Sequence, residues 1–506
     1  MSLQARDVGD GASSKKLFYV LLLLLLLIGL ILHLRSTEYP FLPVDDAYTT
    51  LHNAQVMRAG EDRNFGTTPP LSGATSAPHL LLVTGLLNFF PSAWASFAAA
   101  WIGVVLYALA LAHLAFVHRA SPAQAALVVL VGLGVGLTLH QLFNGLETGL
   151  AMAGLTWALA LASTAEKSGS RWPRLVLYGQ LPFLRPELAA AAALFLLLEG
   201  SHHWGRTASV ERTVKAMGVD VGVVLLAAAP WLLWYQASLG VPVPASVEAK
   251  RLYFAEGCLP ARIKIDWVLL SLAAFARTMG LLVVGFALLF RSRPGWVGVA
   301  FMVVFFLAYY TLFPGALGHY EQRYVYVLVP VLLFGFVSLL ADSNRFLRHG
   351  VTVMLVLLAA QSISNGAAAW NQNKLNARFT EAELEGMAAW SRNHLPGDAV
   401  LLVHDVGYIS HATDFRLVDF VGLKTPSSVH FHRTMTWPSC GEHRGQAVHQ
   451  IALLGRPGYL VMLQGWDRIY RITDSLRSQG WRVDEVRSPH ETHAYRIYRL
   501  GLPDPR

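Results

Sequence analysis

Two adjacent carboxylates, Asp45 and Asp46, stand in the run Val44-Asp45-Asp46-Ala47-Tyr48, shortly after an apolar stretch from Leu17 to Leu34. A paired acid near a membrane surface can take a proton from a hydroxyl nucleophile or hold a divalent cation. The same residues also suit an acidic helix start, where the helix dipole favours Asp. Spacing alone leaves these uses open. The triplet Arg185-Pro186-Glu187 interrupts another apolar run and reads as an ion pair closing a turn. Gly132, Gly134 and Gly136 resemble a nucleotide loop only superficially: no strand precedes them, so close helix packing is their expected use. His430 and His432 lack the ligand spacing of a metal site. The segment Asp405 to Leu423, with Asp405 and Asp419, reads as strand, turn and strand.

The elements that must position these groups follow from composition. The 506 residues are 54% hydrophobic and 14% charged, with a mean hydropathy of +0.42, where soluble chains carry roughly 25% charged residues. That deficit excludes an ordinary cytosolic enzyme, a disordered chain and a disulfide-stapled secreted domain, and it implies a polytopic membrane protein. The net charge of +8 is explained by basic cytoplasmic loops and calls for no nucleic-acid partner.

Apolar stretches predict about nine full spans: 17–34, 94–117, 123–140, 148–165, 218–236, 267–290, 296–313, 324–341 and 351–364. The shorter run 78–90 is expected to be a re-entrant or interfacial helix. The run 175–198 is expected to form two half-helices with the charged triplet at their turn. With a cytoplasmic amino terminus and an uncleaved first span, Arg119, Arg206, Arg291 and Arg345 fall inside, while Asp45, Asp46, Glu147, Glu187, Glu248 and Glu321 fall outside. The crossings are then odd in number and the carboxy terminus is extracytoplasmic.

Residues 1–369 form the transmembrane domain, with a first external loop over 36–93, and 370–506 form a small extracytoplasmic α/β domain. In the latter, strands are expected near 399–404, 416–421, 459–463, 481–486 and 495–500, with helices over 381–394, 446–454 and 467–479. Cys258 and Cys440 lie on the same, oxidising side in this topology. Either a disulfide ties the outer domain onto the loops, or two thiols stay free because they are too far apart.

Several segments, taken in order, resemble the GT-C superfamily of polyprenyl-phosphate-sugar-dependent glycosyltransferases. They are Asp45-Asp46-Ala47-Tyr48 with Gly60 and 65–76 behind it, Gly145-Leu146-Glu147-Thr148, Arg185-Pro186-Glu187, 240–250 with Pro244 and Lys250, Arg323-Tyr324, and Asp405-Val406-Gly407-Tyr408 to Asp419-Phe420-Val421-Gly422-Leu423. The nearest likeness is to the branch of bacterial cell-wall arabinofuranosyltransferases. The resemblance implies a polytopic helical membrane enzyme that inverts the anomeric carbon as an acceptor hydroxyl displaces a polyprenyl phosphate.

Asp45, the leading acid, is then the first choice for the base, with Asp46 beside it. Lys250, Arg323 and Arg251 would neutralise the leaving phosphate, although snorkelling basic anchors look the same in sequence. Glu147, Tyr48 and Tyr324 would contact sugar or acceptor. The resemblance fixes no cofactor, and a divalent cation is the one candidate. The implied partners are a polyprenyl-phosphate-linked sugar, with arabinofuranose the first guess, and a cell-envelope glycan, lipid or protein acceptor at the outer face of a bacterial inner membrane. An oligosaccharide transferase is the alternative enzyme. A lipid or glycan transporter would need intramembrane charges and internal repeats, whereas these spans are almost free of charge and show no repeat.

Overall fold

Backbone N–H and C=O groups in hydrocarbon must bond within their own segment, so the apolar stretches fold as helices. The computed structural model describes residues 6–35, 40–165, 170–487 and 495–503, and so covers the first external loop from residue 40 onward. Among the described residues six helices are long and apolar enough to cross a membrane: Ser13–Arg35, Ala93–Val117, Val210–Leu239, Ala261–Leu289, Arg293–Leu312 and Arg345–His394. A bent pair, Pro314–Gln322 and Val325–Ala341, meets at 87° and makes a seventh if taken as one span.

This is fewer than the nine full spans expected, and local chemistry explains the difference. The 123–140 stretch ends as a helix at Gly134 and resumes as the short helix Thr138–Leu142. Gly136 sits between them at φ +58, and a Cβ there would lie 2.5 Å from Met279 Cε, so the break needs glycine. The glycine stripe therefore serves packing, as expected: a Cβ on Gly132 would meet Leu111, and one on Gly134 would meet the Ser362 carbonyl. The 148–165 stretch becomes the 16-residue helix Thr148–Ser163, short of the roughly 20 residues a span needs.

The two irregular segments fold as their sequences suggest. Helix Trp172–Leu184 stops at Arg185, which is extended because Pro186 disfavours helical geometry before it, and the next helix starts at Leu188. The 78–90 run forms helix Ala77–Leu86, whose N-cap Ser76 accepts from the His79 N–H and donates to the Phe183 carbonyl.

Helix Arg345–Phe379 runs through residue 370 without a linker and continues by a π-helical turn into helix Gly386–His394. This rod delivers the chain to a five-stranded sheet: β1 (Val400–Val403), β2 (Arg416–Asp419), β3 (Tyr459–Leu463), β4 (Arg482–Arg487) and β5 (Tyr495–Gly501), in the order β2-β1-β3-β5-β4. β1 pairs in parallel with β2 and β3, whereas β5 runs antiparallel to β3 and β4. The expected helix over 467–479 divides into Gln464–Tyr470 and Ile472–Ser478 at Arg471, which has φ +51.

Two apolar cores result. One fills the helical bundle. The other joins the segment after the first helix to the sheet domain, placing Leu42, Val44, Tyr48 and Leu51 in one cluster with Val406, Tyr408 and Ile409. Polar contacts follow the same seam: the Asn64 side chain donates to the carbonyls of Thr413 and Phe415, and buried Lys424 pairs with Asp62 at 3.2 Å. Loop and outer domain thus share one interior.

Candidate active site

Helix Asp45–Ala59 begins at Val44, which is extended and offers no side-chain cap, so the two acids occupy the first turn. Successive residues on a helix point about 100° apart. Asp45 turns to the outer domain, where its two oxygens accept the backbone N–H groups of Gly407 and Tyr408, each at 2.8 Å, at the start of helix Gly407–Ala412. Gly407 is required for this approach, because a Cβ there would lie 1.9 Å from the Asp45 carbonyl oxygen.

Asp46 turns the other way, to cations. Its Oδ2 accepts from Arg323 Nη2 at 2.6 Å and from Lys250 Nζ at 3.1 Å. Lys250 lies on helix Ser246–Phe254. Arg323 follows three residues, Tyr320, Glu321 and Gln322, at positive φ, a left-handed kink that aims it at Asp46.

The surroundings separate the two acids electrostatically. Burial and the charge of Asp405 push the Asp45 carboxyl up to about 7, against the two N–H bonds that favour its ionised form. Burial also raises Asp46, but Lys250 and Arg323 outweigh it and hold that carboxyl well below the usual range. Burial lowers Lys250, and Asp46 in turn holds it above its ordinary value.

Around this core, Tyr324 accepts from the same Arg323 nitrogen at 2.6 Å, and its ring lies under both Arg323 and Arg185. Arg185 pairs with Glu187 at 2.7 Å, as expected of the turn, and also approaches Glu147 at 3.8 Å. A small cavity brings Asp46, Glu147, Arg185, Lys250, Arg323 and Tyr324 together. A larger apolar groove of about 300 Å³ begins at Lys250 and Tyr324 and runs along Val304, Phe305, Ala308 and Leu312.

Three expectations change. Asp45, first choice for the base, has both oxygens engaged and is 7% exposed, so it ties the domains together, while Asp46 is the accessible acid. Tyr48, expected to contact sugar, is buried, takes the Leu42 N–H on its hydroxyl and packs edge-on to Tyr408. Arg251 borders the groove, but its guanidinium stacks on Trp437 at 4.6 Å and reaches neither acid. Cys258 and Cys440 are both free. Their thiols are nonetheless within hydrogen-bonding reach, and burial with that neighbour pushes Cys258 up to about 11.

Asp45 and Asp46 diverge, and among the described residues no group of three His, Cys, Asp or Glu side chains could hold a metal ion. His432 is instead bonded to Thr436 and the Phe420 carbonyl.

Asp405, which the sequence reading placed in a strand, turn and strand, stands at the site as well. It lies two residues past β1 and lines one cavity with Asp45, Asp46, His404 and Trp466. His404 stands 3.0 Å from it, and the Tyr495 hydroxyl donates to it at 2.5 Å. Burial raises Asp405, but His404 and Tyr495 hold it below the usual range. Asp419, by contrast, accepts backbone N–H groups of Val421 and Lys424 and shapes a turn.

Residues 372–498 match a family model described as "Domain of unknown function (DUF8728)". No functionally curated protein matches the sequence. Among solved structures, the chain is similar to ArnT from Cupriavidus metallidurans bound to undecaprenyl phosphate, at 12% identity, a TM-score of 0.54, 92% of this chain and 95% of that one. It also matches the oligosaccharyltransferase of Archaeoglobus fulgidus in the apo form, at 11% identity, a TM-score of 0.45, 89% of this chain and 70% of that one. The first likeness shows a shared fold, a polytopic helical bundle carrying a small sheet domain.

Proposed function

We propose that this protein is a membrane glycosyltransferase that moves a sugar from a polyprenyl-phosphate donor to an acceptor hydroxyl at the outer face of a bacterial inner membrane. The observation that carries this reading is the apolar groove that ends on Lys250 beside the Arg323–Asp46 pair. A groove that accepts hydrocarbon along its length and an anion at its end fits a lipid phosphate. The resemblance of the ordered motifs and the shared fold support the same class.

In this reading the prenyl chain lies along Phe305 and Leu312, and the phosphate meets Lys250 and Arg323. The sugar faces Glu147 and Tyr324. The acceptor oxygen forms a bond to the anomeric carbon as the bond from that carbon to the phosphate oxygen breaks. The electron pair leaves on the phosphate, stabilised by the two cations, and the acceptor proton passes to Asp46. A single displacement inverts the anomeric centre. Asp45 positions Asp46 by fixing the first turn of its helix to the outer domain. The amino terminus is then cytoplasmic and the sheet domain extracytoplasmic, the sugar of first choice is arabinofuranose, and the acceptor is a cell-envelope glycan, lipid or protein.

Purified protein in lipid is incubated with a panel of polyprenyl-phosphate monosaccharides and a lipid-linked oligosaccharide, each with cell-envelope acceptor fractions, and release of the polyprenyl phosphate or pyrophosphate is followed. Release from a monosaccharide donor supports this reading. Release from the oligosaccharide alone would move the assignment to an oligosaccharide transferase, and no release from any donor refutes both.

A further inference from the structure

In the arrangement described, the base is weak: two cations stabilise the ionised form of Asp46 and so oppose its taking a proton. The same two cations are those the donor phosphate needs. Resting on the donor site proposed above, we propose that Asp46 occupies, in the resting protein, the place on Lys250 and Arg323 that the donor phosphate takes, so that donor binding displaces the carboxylate and thereby activates it.

Three features carry this. First, a single oxygen, Asp46 Oδ2, receives both cations, at 2.6 and 3.1 Å, as one phosphate oxygen would. Second, Arg323 has donors to spare: its Nε and Nη1 are buried with no hydrogen-bond partner, although the residue is only 5% exposed. Buried guanidinium N–H groups without acceptors are costly, and a phosphate supplies the several oxygens that one carboxylate cannot. The rings of Tyr320 and Tyr324, 4.9 and 4.7 Å from the guanidinium, hold it in place, so the anion must come to it.

Third, there is little room around the ion pair. The cavities on either side of Asp46 measure about 50 and 30 Å³, against about 300 Å³ for the groove. Each small cavity has room for a water or two and none for a sugar ring. Opening the Asp46 contacts is therefore a condition of admitting the substrates. Once the phosphate neutralises Lys250 and Arg323, the freed carboxylate regains proton affinity beside the anomeric carbon. The order of binding follows: donor first, acceptor second. An acceptor that arrives early meets a carboxylate unable to deprotonate it, which protects the site from idle proton transfer.

The sign of one substitution separates this from an ordinary binding or structural role. Affinity for undecaprenyl phosphate, and for undecaprenol as the uncharged control, is measured on purified protein in nanodiscs. Asp46→Asn should bind the phosphate about tenfold more tightly, because the competing charge is gone, bind the alcohol as the wild type does, and fail to turn over. Equal or weaker phosphate binding by a folded Asp46→Asn protein overturns the displacement. Lys250→Met and Arg323→Ala should each lose the preference for phosphate over alcohol. Should both keep it, the donor-site reading itself falls. A measurement on the wild type removes dependence on the variant folding: the infrared difference spectrum on adding undecaprenyl phosphate should show a perturbed aspartate carboxylate band, and unchanged carboxylate bands overturn the displacement as well.

Discussion

Replacing Arg323 by alanine tests the cation pair most directly, because its contribution can be worked from the contacts. One nitrogen of Arg323 bonds Asp46 and Tyr324, both at 2.6 Å, and the side chain is 6% exposed, so solvent does little to screen it. A hydrogen bond to a charged group contributes about 1.5–3 kcal/mol, and each 1.4 kcal/mol is about tenfold. If Arg323 gives the leaving phosphate one such contact in the transition state, Arg323→Ala should lower kcat/KM by about 10- to 150-fold, and more if both free nitrogens engage. Arg323→Lys keeps the charge but loses the planar fork, and should recover only part of the loss. Lys250 still neutralises Asp46 in the alanine variant, so the fold should survive, which thermal unfolding in detergent checks. The assay follows polyprenyl phosphate release at several donor concentrations. A folded Arg323→Ala enzyme whose kcat/KM stays within about threefold of the wild type refutes the reasoning, since no charge-assisted contact is that weak when buried.

Three further outcomes are expected. Gly407→Ala should destabilise the seam between loop and outer domain by about 2 kcal/mol or more, because a Cβ 1.9 Å from the Asp45 carbonyl forces the two apart; an unchanged unfolding temperature argues against that contact. The raised Asp45 carboxyl keeps a proton in the folded state that the unfolded chain gives up near its ordinary 3.8, so its contribution to stability is present below about 3.8 and lost as pH rises towards about 7. Asp45→Asn should flatten that part of the curve of unfolding temperature against pH, and an identical slope in both proteins contradicts the assignment. Cys258 and Cys440, both free in the structure, should label fully in denatured, unreduced protein, and Cys258 should react slowly in the native state because its thiol sits near 11; labelling of denatured protein only after reduction would reveal a bridge instead.

Much of the fold was legible because hydropathy and strand pattern depend on local composition. The five strands fall within a residue or two of their expected places, from the apolar Val400–Val403 to the alternating Tyr495–Gly501. Hydropathy fails where one residue controls direction. Gly136 breaks an apolar stretch without lowering its mean hydropathy, and the left-handed run Tyr320–Gln322, just ahead of the 324–341 stretch, precedes an 87° bend by a backbone choice that no side-chain scale records. The six-residue helix Gly407–Ala412 was read as a turn because fewer than two helical turns show no periodicity.

The site is harder to read than the fold, because adjacency in sequence is a poor guide to shared chemistry. Asp45 and Asp46 look like one unit in the chain, yet helical geometry sends them to opposite partners. Asp45 meets its partner 362 residues away, at the start of a helix that only the completed sheet can place. The two readings weighed for the pair, helix start and catalytic acid, therefore do not compete: the position at the first turn is what parts the side chains. One is spent on joining loop to outer domain, which leaves the other fixed at the cations. A chain with a single acid at either position could be anchored or could face the groove, but not both, and on this argument exchanging the second carboxylate for a neutral amide removes the chemistry while leaving the seam between the domains intact.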